Sequence, residues 1–244
     1  MEPIYQQDIE ITDIYVDRYG RLKPSMILYF AQEIAGQHCH QLAVDYEALA
    51  QRRLFWAVTR HRVQITRLPV RGEKLHIETW PMPTTRVAYP RAMAAYDEAG
   101  NECFRIISLW VLMDIDKRSM ILPGKSGVSV DGTLRGTELS SPLGLVAKPL
   151  ASQRQRAVCF TDLDRNGHMN NTRYLDWIND LLPSAFHASH CIRDFTVCYL
   201  SEAREGQELT LSWDFLEDGC LHVDASRACG DKDERIFAAK LLFD

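Results

Sequence analysis

The chain has 244 residues, a length that suits one large domain or two fused small ones. Its 46% hydrophobic and 25% charged residues are typical of a soluble globular protein with enough apolar side chains to form a core. The net charge of −5 and the lack of a long basic run argue against nucleic acid as a partner.

The same composition argues against export and metal binding. Residues 1–17 are acidic and interrupted by polar side chains, unlike a secretory signal or a transit peptide. No apolar run approaches the roughly 20 residues that span a bilayer, so we expect no membrane insertion. The seven cysteines include no C-x-x-C pair, and the histidines match no standard zinc spacing. We therefore expect a cytoplasmic protein with reduced thiols and neither metal nor cofactor.

The first half of the chain begins with a polar turn and a helix. Residues 17–25 read D-R-Y-G-R-L-K-P-S, and residues 26–39 have apolar side chains at helical spacing. Alternating apolar residues at 61–80 and 88–114 then predict antiparallel strands joined by turns rich in glycine and acidic residues.

The second half repeats this order. Residues 164–172 read D-R-N-G-H-M-N-N-T, with Asp, Arg, Gly, an apolar residue and a hydroxyl residue at the same offsets as in 17–25. A helical pattern at 173–182 follows, and strand patterns at 194–215 and 220–243 come after it. The repetition predicts a duplicated module.

Between the two copies, residues 124–150 contain five Gly and two Pro and little periodicity, which predicts a linker. The expected organisation is an N-terminal module at 1–123, this linker, and a C-terminal module at 151–244. Each module is predicted to wrap an antiparallel sheet around one long central helix, which makes the fold class α+β.

Four tracts resemble acyl-acyl carrier protein thioesterases, the enzymes that terminate fatty acid synthesis. The most specific is D-x-N-x-H-x-N-N within residues 162–177. The others are GRLKPSMILYFAQEIAGQH at 20–38, the tract from LFWAVTRHR to HIETWP at 54–81, and SLWVLMDIDKRSMILP at 108–123. The resemblance implies a tandem, or double, hotdog fold and the hydrolysis of fatty acyl thioesters.

The family's catalytic residues carry over to named positions of this chain. Its Asp, Asn and His correspond to Asp164, Asn166 and His168, and its catalytic Glu corresponds to Glu202 in YLSEARE. Many members have a Cys directly after that Glu, but this chain has Ala203 there. The resemblance therefore implies a carboxylate mechanism rather than a cysteine nucleophile.

The chemistry of thioester hydrolysis suggests a role for each of these side chains. We expect Glu202 to activate water, Asn166 to polarise the carbonyl, and His168 to orient the water or protonate the departing sulfur. Backbone N–H groups at the start of the following helix are further candidate donors to the oxyanion. Asp164 is expected to hold the turn.

The first-half copy lacks the reactive residue types. Aligning the two copies matches Tyr19 to Asn166 and Arg21 to His168, and matches Leu68 to Glu202. We therefore expect one active site, in the C-terminal module, and an N-terminal module that shapes the acyl pocket.

Other readings of the same residues stay open. A polar turn before a helix can be simple capping, and we expect Asn170 or Asn171 to serve in that way. Competing functions are an acyl-coenzyme A thioesterase of the hotdog fold, a hotdog dehydratase and a non-catalytic acyl-binding module. The D-x-N-x-H pattern argues against the dehydratase, and Glu202 argues against the binding module.

The implied partner is acyl carrier protein, which is acidic and bears its acyl chain on phosphopantetheine. An acidic chain would need a local basic patch to bind it. Candidates are the basic pair within 51–53 and the arginines at 60, 62, 67 and 71. The tandem arrangement is compatible with a monomer or with a homodimer of double modules.

Overall fold

A computed structural model describes residues 3–230 and 232–244. The chain divides into two compact units, with the boundary between Pro142 and Leu143. Within the described ranges, no helix combines the length and the apolar character needed to cross a bilayer.

Over its described residues, 3–142, the first unit contains six strands, three α-helices and one short 3-10 helix at Asp13–Tyr15. The strands are β1 Tyr5–Glu10, β2 Leu54–Ile65, β3 Lys74–Pro81, β4 Tyr89–Tyr96, β5 Glu102–Asp114 and β6 Met120–Ile121; the helices are α1 Pro24–Gln41, α2 Tyr46–Ala50 and α3 Pro123–Ser126. The main strands pair antiparallel in the order β1-β3-β4-β5-β2, and β6 pairs with β5.

Helix α1 is the central helix of this unit, as the sequence predicts. Pro24 occupies its first turn, where a missing N–H costs no helical hydrogen bond. The apolar stripe Ile27, Phe30 and Ile34 is buried, with at most 1% of each residue exposed. Burial of this stripe, rather than helix propensity alone, stabilises the 18-residue helix.

The second unit repeats the arrangement. Its strands are β7 Ser152–Ala157, β8 Ile192–Tyr199, β9 Glu208–Phe215, β10 Leu221–Cys229 and β11 Lys232–Phe243, and its helices are α4 Arg173–Asn179 and α5 Ser184–Ser189. The strands pair antiparallel in the order β7-β9-β10-β11-β8, which is the first unit's order element for element. The predicted duplication and double hotdog fold are confirmed.

The second central helix is shorter than the sequence pattern predicts. Helix α4 has seven residues and ends at Asn179, although its stripe Tyr174, Trp177 and Ile178 is buried as expected. Pro183 follows shortly after, and proline disfavours helical backbone in the residue before it. The chain therefore turns and forms the separate helix α5.

Part of the predicted linker packs on the first unit. No helix or strand occurs at 127–151. Gly132 lies so close to Met82 that a Cβ atom there would clash with the Met82 carbonyl group. The Arg135 guanidinium lies 4.9 Å from the ring centre of Trp80, and the indole N–H of Trp80 donates to Glu138 at 3.2 Å. Residues 132–138 therefore cover Trp80 of β3, which is 1% exposed.

Candidate active site

Asp164 organises the polar turn of the second unit. Its Oδ1 accepts hydrogen bonds from the backbone N–H groups of Asn166 (2.8 Å) and His168 (3.1 Å). The Asn166 amide donates to the other carboxylate oxygen at 3.4 Å. Gly167 has φ +75°, a conformation that glycine adopts without strain, and its N–H donates to the Asp164 carbonyl at 3.0 Å. The carboxylate therefore binds the turn itself, as predicted.

The turn lies beside the segment that carries Glu202. His168 forms an antiparallel bridge with Arg204, and the N–H of Met169 donates to the Ala203 carbonyl at 2.8 Å. This pairing brings His168 Nε2 to 3.1 Å from Glu202 Oε2. The two predicted residues are in direct contact. Asn166 is exposed in the turn, and its amide is oriented by Asp164.

The start of α4 is already well supplied with hydrogen bonds. Asn170 Oδ1 accepts from the backbone N–H of Thr172 at 3.0 Å, but Thr172 is itself the N-cap of α4 and no side chain caps the helix, so the predicted capping by Asn170 or Asn171 is wrong. The N–H of Arg173 donates to the Asn170 carbonyl, and the N–H of Leu175 donates to the Thr172 carbonyl. The N–H groups of Thr172, Arg173 and Leu175 at this helix end are thus in use.

Buried Asp162 anchors the turn to the helix behind it. Its Oδ1 accepts from the indole N–H of Trp177 at 3.3 Å, and its Oδ2 accepts from the N–H of Cys159 at 3.0 Å. Only 3% of the residue is exposed. Its carbonyl accepts from the N–H of Asn170 at 2.8 Å. Asp162 is therefore a structural residue of the turn, although the sequence shows it as one more carboxylate beside Asp164.

A polar cluster holds the Glu202 segment from the sheet side. Arg227 Nη1 donates to the Glu202 carbonyl at 3.2 Å and to Gln207 Oε1 at 2.5 Å. Its Nε and Nη2 donate to Glu234 Oε2 at 3.0 and 2.6 Å. The Ser201 hydroxyl donates to the other Glu234 oxygen at 2.6 Å. We call Arg227, Glu234, Gln207 and Ser201 the Arg227 cluster.

Sequence reasoning missed the Arg227 cluster because its members come from three distant stretches of chain. One signal was present in the internal repeat. The N–H of Arg204 donates to Gln207 at 2.9 Å, and the N–H of Val70 donates to Glu73 at 3.1 Å in the first unit. The second copy thus has a neutral amide where the first copy has a carboxylate.

Aromatic residues pack behind the contact. The ring centres of Tyr174 and Tyr199 are 5.6 Å apart, and Tyr174 lies 4.6 Å from Phe237. Burial raises the pKa of Tyr174, and the negative charge of Glu202 raises it further. Burial also raises the pKa of Tyr199, whose hydroxyl donates to the Asn171 carbonyl at 3.0 Å. Both phenols therefore stay neutral, and Tyr174 is near enough to Glu202 for that charge to act on it.

The first unit has the same turn without the reactive groups. Asp17 Oδ1 accepts from the N–H groups of Tyr19 (2.8 Å) and Arg21 (3.0 Å), as Asp164 does in the second unit. The N–H of Leu22 donates to the Pro69 carbonyl at 2.7 Å, which is the counterpart of the Met169–Ala203 bond. This register confirms that Leu68 is the counterpart of Glu202.

All six arginines proposed as a basic patch have partners inside the unit. Arg53 pairs with Asp116, Arg67 pairs with Glu73 and Asp97, and Arg71 pairs with Asp13. Arginines 52, 60 and 62 donate to oxygen atoms of Gly127, Pro142 and Ser140. These contacts weaken the patch as a docking surface for an acidic partner.

Comparison with known sequences decides the family. The profile of the acyl-ACP thioesterase N-terminal domain matches residues 2–122, and that of the C-terminal domain matches residues 148–241. The chain belongs to the acyl-ACP thioesterase family. The resemblance carried by the four sequence tracts is thereby confirmed.

The curated relatives of this thioesterase family member are distant and longer. The chain is 23% identical to a chloroplastic palmitoyl-acyl carrier protein thioesterase of Gossypium hirsutum, over 82% of this chain and 52% of the relative. It is 28% identical to a chloroplastic dodecanoyl-[acyl-carrier-protein] hydrolase of Cinnamomum camphora, over 63% of this chain and 43% of the relative. The chain thus spans about half the length of the curated relatives it matches.

Solved structures share the fold over the whole chain. An acyl-ACP thioesterase from Bacteroides thetaiotaomicron superposes with a TM-score of 0.86 at 23% identity, covering 99% of this chain and 98% of that one. A 12:0-ACP thioesterase from Umbellularia californica superposes with a TM-score of 0.84 at 19% identity, covering 100% and 98%. The likeness supports the double hotdog architecture.

Proposed function

We propose that the protein hydrolyses the thioester of fatty acyl-acyl carrier protein and releases free fatty acid. The observation that carries this proposal is the 3.1 Å contact between His168 Nε2 and Glu202 Oε2 beside an exposed Asn166 amide. This arrangement joins a base, a proton carrier and an oxyanion donor, which are the groups that thioester hydrolysis requires. Family membership supplies the thioester substrate class.

The proposed reaction begins at Glu202. Its carboxylate takes a proton from water, and the resulting hydroxide attacks the thioester carbonyl carbon. The Asn166 amide donates to the oxygen of the tetrahedral intermediate, which then collapses with cleavage of the carbon–sulfur bond. The proton on Glu202 passes across the 3.1 Å contact to His168 and then to the departing sulfur. The products are the fatty acid and the free thiol, and both side chains return to their starting state.

The test follows the release of free thiol from acyl-carrier-protein and acyl-coenzyme A thioesters. We expect Glu202→Gln and His168→Ala to lower kcat by on the order of 10²–10³. Glu205→Gln is the matched control, because Glu205 is an exposed carboxylate in the same turn. It should leave kcat within about twofold, since substitutions of exposed residues away from a site are usually near neutral.

Each alternative has its own outcome in this assay. Undiminished thiol release from both site variants would reject the assigned site. A clear preference for the coenzyme A thioester would make the protein an acyl-coenzyme A thioesterase. No release from any acyl thioester would leave a non-catalytic acyl-binding module.

A further inference from the structure

The Glu202 carboxylate has a second charged neighbour besides the imidazole. Arg204 Nη2 lies 3.8 Å from Glu202 Oε2, the same oxygen that lies 3.1 Å from His168 Nε2. The Arg204 side chain is 60% exposed, the Glu202 side chain 44% and the His168 side chain 16%. One carboxylate oxygen therefore contacts an imidazole on its more buried side and a permanently charged guanidinium on its more exposed side.

The backbone of Arg204 is held in place by three contacts. It forms an antiparallel bridge with His168, its N–H donates to Gln207 Oε1 at 2.9 Å, and its carbonyl accepts from the Gln207 N–H at 3.1 Å. Gln207 Oε1 in turn accepts from Arg227 Nη1 at 2.5 Å. The Cα atom of Arg204 is thus fixed beside the polar turn, and its guanidinium needs only its own side-chain torsions to reach the carboxylate.

The internal repeat shows that this arginine accompanies the carboxylate. The bridge between His168 and Arg204 in the second unit corresponds to the bridge between Arg21 and Val70 in the first. Val70 therefore occupies the place of Arg204, and Leu68 occupies the place of the carboxylate. The two charged residues occur together in the unit that contains the proposed site, and both are replaced by apolar residues in the other unit.

An exposed glutamate needs such a contact if it is to stay in one conformation. A half-exposed Glu side chain has several accessible rotamers, and holding one of them costs conformational entropy. A cation beside one oxygen favours the rotamers that keep this oxygen near the turn. Ion pairs between exposed groups contribute modestly, and dissolved salt screens them. The hold on Glu202 should therefore be moderate in strength and sensitive to ionic strength.

We propose that Arg204 is a positioning residue for Glu202, and that its guanidinium keeps the carboxylate at His168 through an ion pair that salt weakens. The proposal rests on the function proposed above, because it treats the positioned carboxylate as the base of the hydrolysis. Arg204 acts through Glu202 and makes no contact with the thioester. The rate of hydrolysis should then depend on ionic strength even when the substrate carries no charge.

Crystal structures test the positioning without catalysis. We expect Glu202 to contact His168 in one conformation in the unmodified protein and in Arg204→Lys, which keeps the charge. In Arg204→Gln the carboxylate should leave His168 or occupy more than one conformation. Arg193→Gln is the matched control, because Arg193 forms a similarly exposed ion pair with Asp244 at the other end of β8. A single Glu202 conformation at His168 in Arg204→Gln would overturn the proposal.

Kinetics with an acyl-N-acetylcysteamine thioester tests the consequence, because this substrate is uncharged. At low salt, Arg204→Gln should lower kcat by about two- to fivefold with KM unchanged, and Arg204→Lys should recover part of the rate. Raising KCl from about 0.02 M to about 0.5 M should bring kcat of the unmodified protein toward that of Arg204→Gln. The variant itself should respond little to salt, and Arg193→Gln should behave like the unmodified protein.

The remaining outcomes separate this proposal from its alternatives. An unchanged kcat and an unchanged salt response in Arg204→Gln would refute positioning. A rise in KM for acyl-carrier-protein or acyl-coenzyme A thioesters alone, with kcat unchanged, would also refute it and assign Arg204 to carrier binding. If the unmodified protein hydrolyses no thioester, the proposed function fails, and the crystal structures still decide whether Arg204 positions Glu202.

Discussion

Asp164 and Asp17 show how one residue type in one turn can support different chemistry. Each carboxylate accepts two backbone N–H groups of its own turn at 2.8–3.1 Å. In the first unit the residue four positions on is Arg21, which forms an ion pair with Asp17 at 3.1 Å. In the second unit it is His168, whose ring faces Glu202. The turn is a shared scaffold, and the side chains on it decide its use.

This equivalence gives a matched pair of variants. We expect Asp164→Ala to lower kcat for acyl-carrier-protein thioesters by about 10- to 100-fold, because His168 and Asn166 lose the turn that orients them. Asp17→Ala should leave kcat unchanged. It should lower the unfolding free energy by about 1–3 kcal/mol, at least as much as Asp164→Ala does. Urea unfolding and steady-state kinetics on both proteins provide the measurement. Equal losses of kcat in the two variants would contradict a site in the second unit alone.

At the scale of elements, the β10–β11 hairpin supports the segment that carries Glu202. Arg227 and Glu234 are cross-strand partners in this hairpin, and Arg227 reaches the Glu202 carbonyl at 3.2 Å. The first unit supports its equivalent segment differently, because Arg67 lies within that segment and pairs with Glu73 and Asp97. The Arg227 cluster is therefore specific to the second unit.

Arg227 is expected to act as a positioning residue for Glu202. Arg227→Gln should lower kcat by about 10- to 100-fold, since displacements near 1 Å at a catalytic group can cost that much. KM should change little, and Arg227→Lys should recover part of the rate because it keeps the charge but not the planar fork. Arg67→Gln removes a comparable ion pair and should leave kcat unchanged. A parallel loss of rate and of thermal stability in both proteins would indicate a merely structural role.

At the scale of the whole molecule, a buried histidine makes folding sensitive to acid. His61 of β2 is fully buried opposite Ser108 of β5, and its Nδ1 lies 2.7 Å from the Ser108 hydroxyl. Burial lowers the pKa of His61 to about 3, whereas an unfolded histidine titrates near 6.5. Between these values the unfolded chain binds a proton that the folded chain does not.

Stability should therefore fall as the pH drops below about 6.5. We expect the unfolding free energy to decrease by about 2 kcal/mol between pH 7 and pH 5 because of His61. Asp97 titrates below this pH window. Its hydrogen bond with Arg67 lowers the pKa of Asp97 to about 2, so its contribution to stability is lost only in stronger acid. Urea unfolding at the two pH values measures the effect. His61→Gln should remove most of the decrease, and an identical pH dependence in that variant would refute the assignment.

Much of the architecture followed from sequence because local periodicity and an internal repeat specify helices, strands and turns. The offsets shared by 17–25 and 164–172 predicted one turn twice, and the structure shows the same hydrogen bonds in both. Counting back four residues from the matched glycines Gly72 and Gly206 paired Leu68 with Glu202. The length of α4 was misjudged, because an apolar stripe shows which face is buried but not where the helix ends.

Contacts between distant segments were decided only by tertiary structure. The sequence predicted His168 and Glu202 as site residues. Their 3.1 Å contact, however, depends on the antiparallel bridge between His168 and Arg204. The hold of Arg227 on Glu202 depends likewise on hairpin register. Local spacing is encoded along the chain, whereas side chains far apart in sequence are brought together by strand pairing and packing across the whole unit.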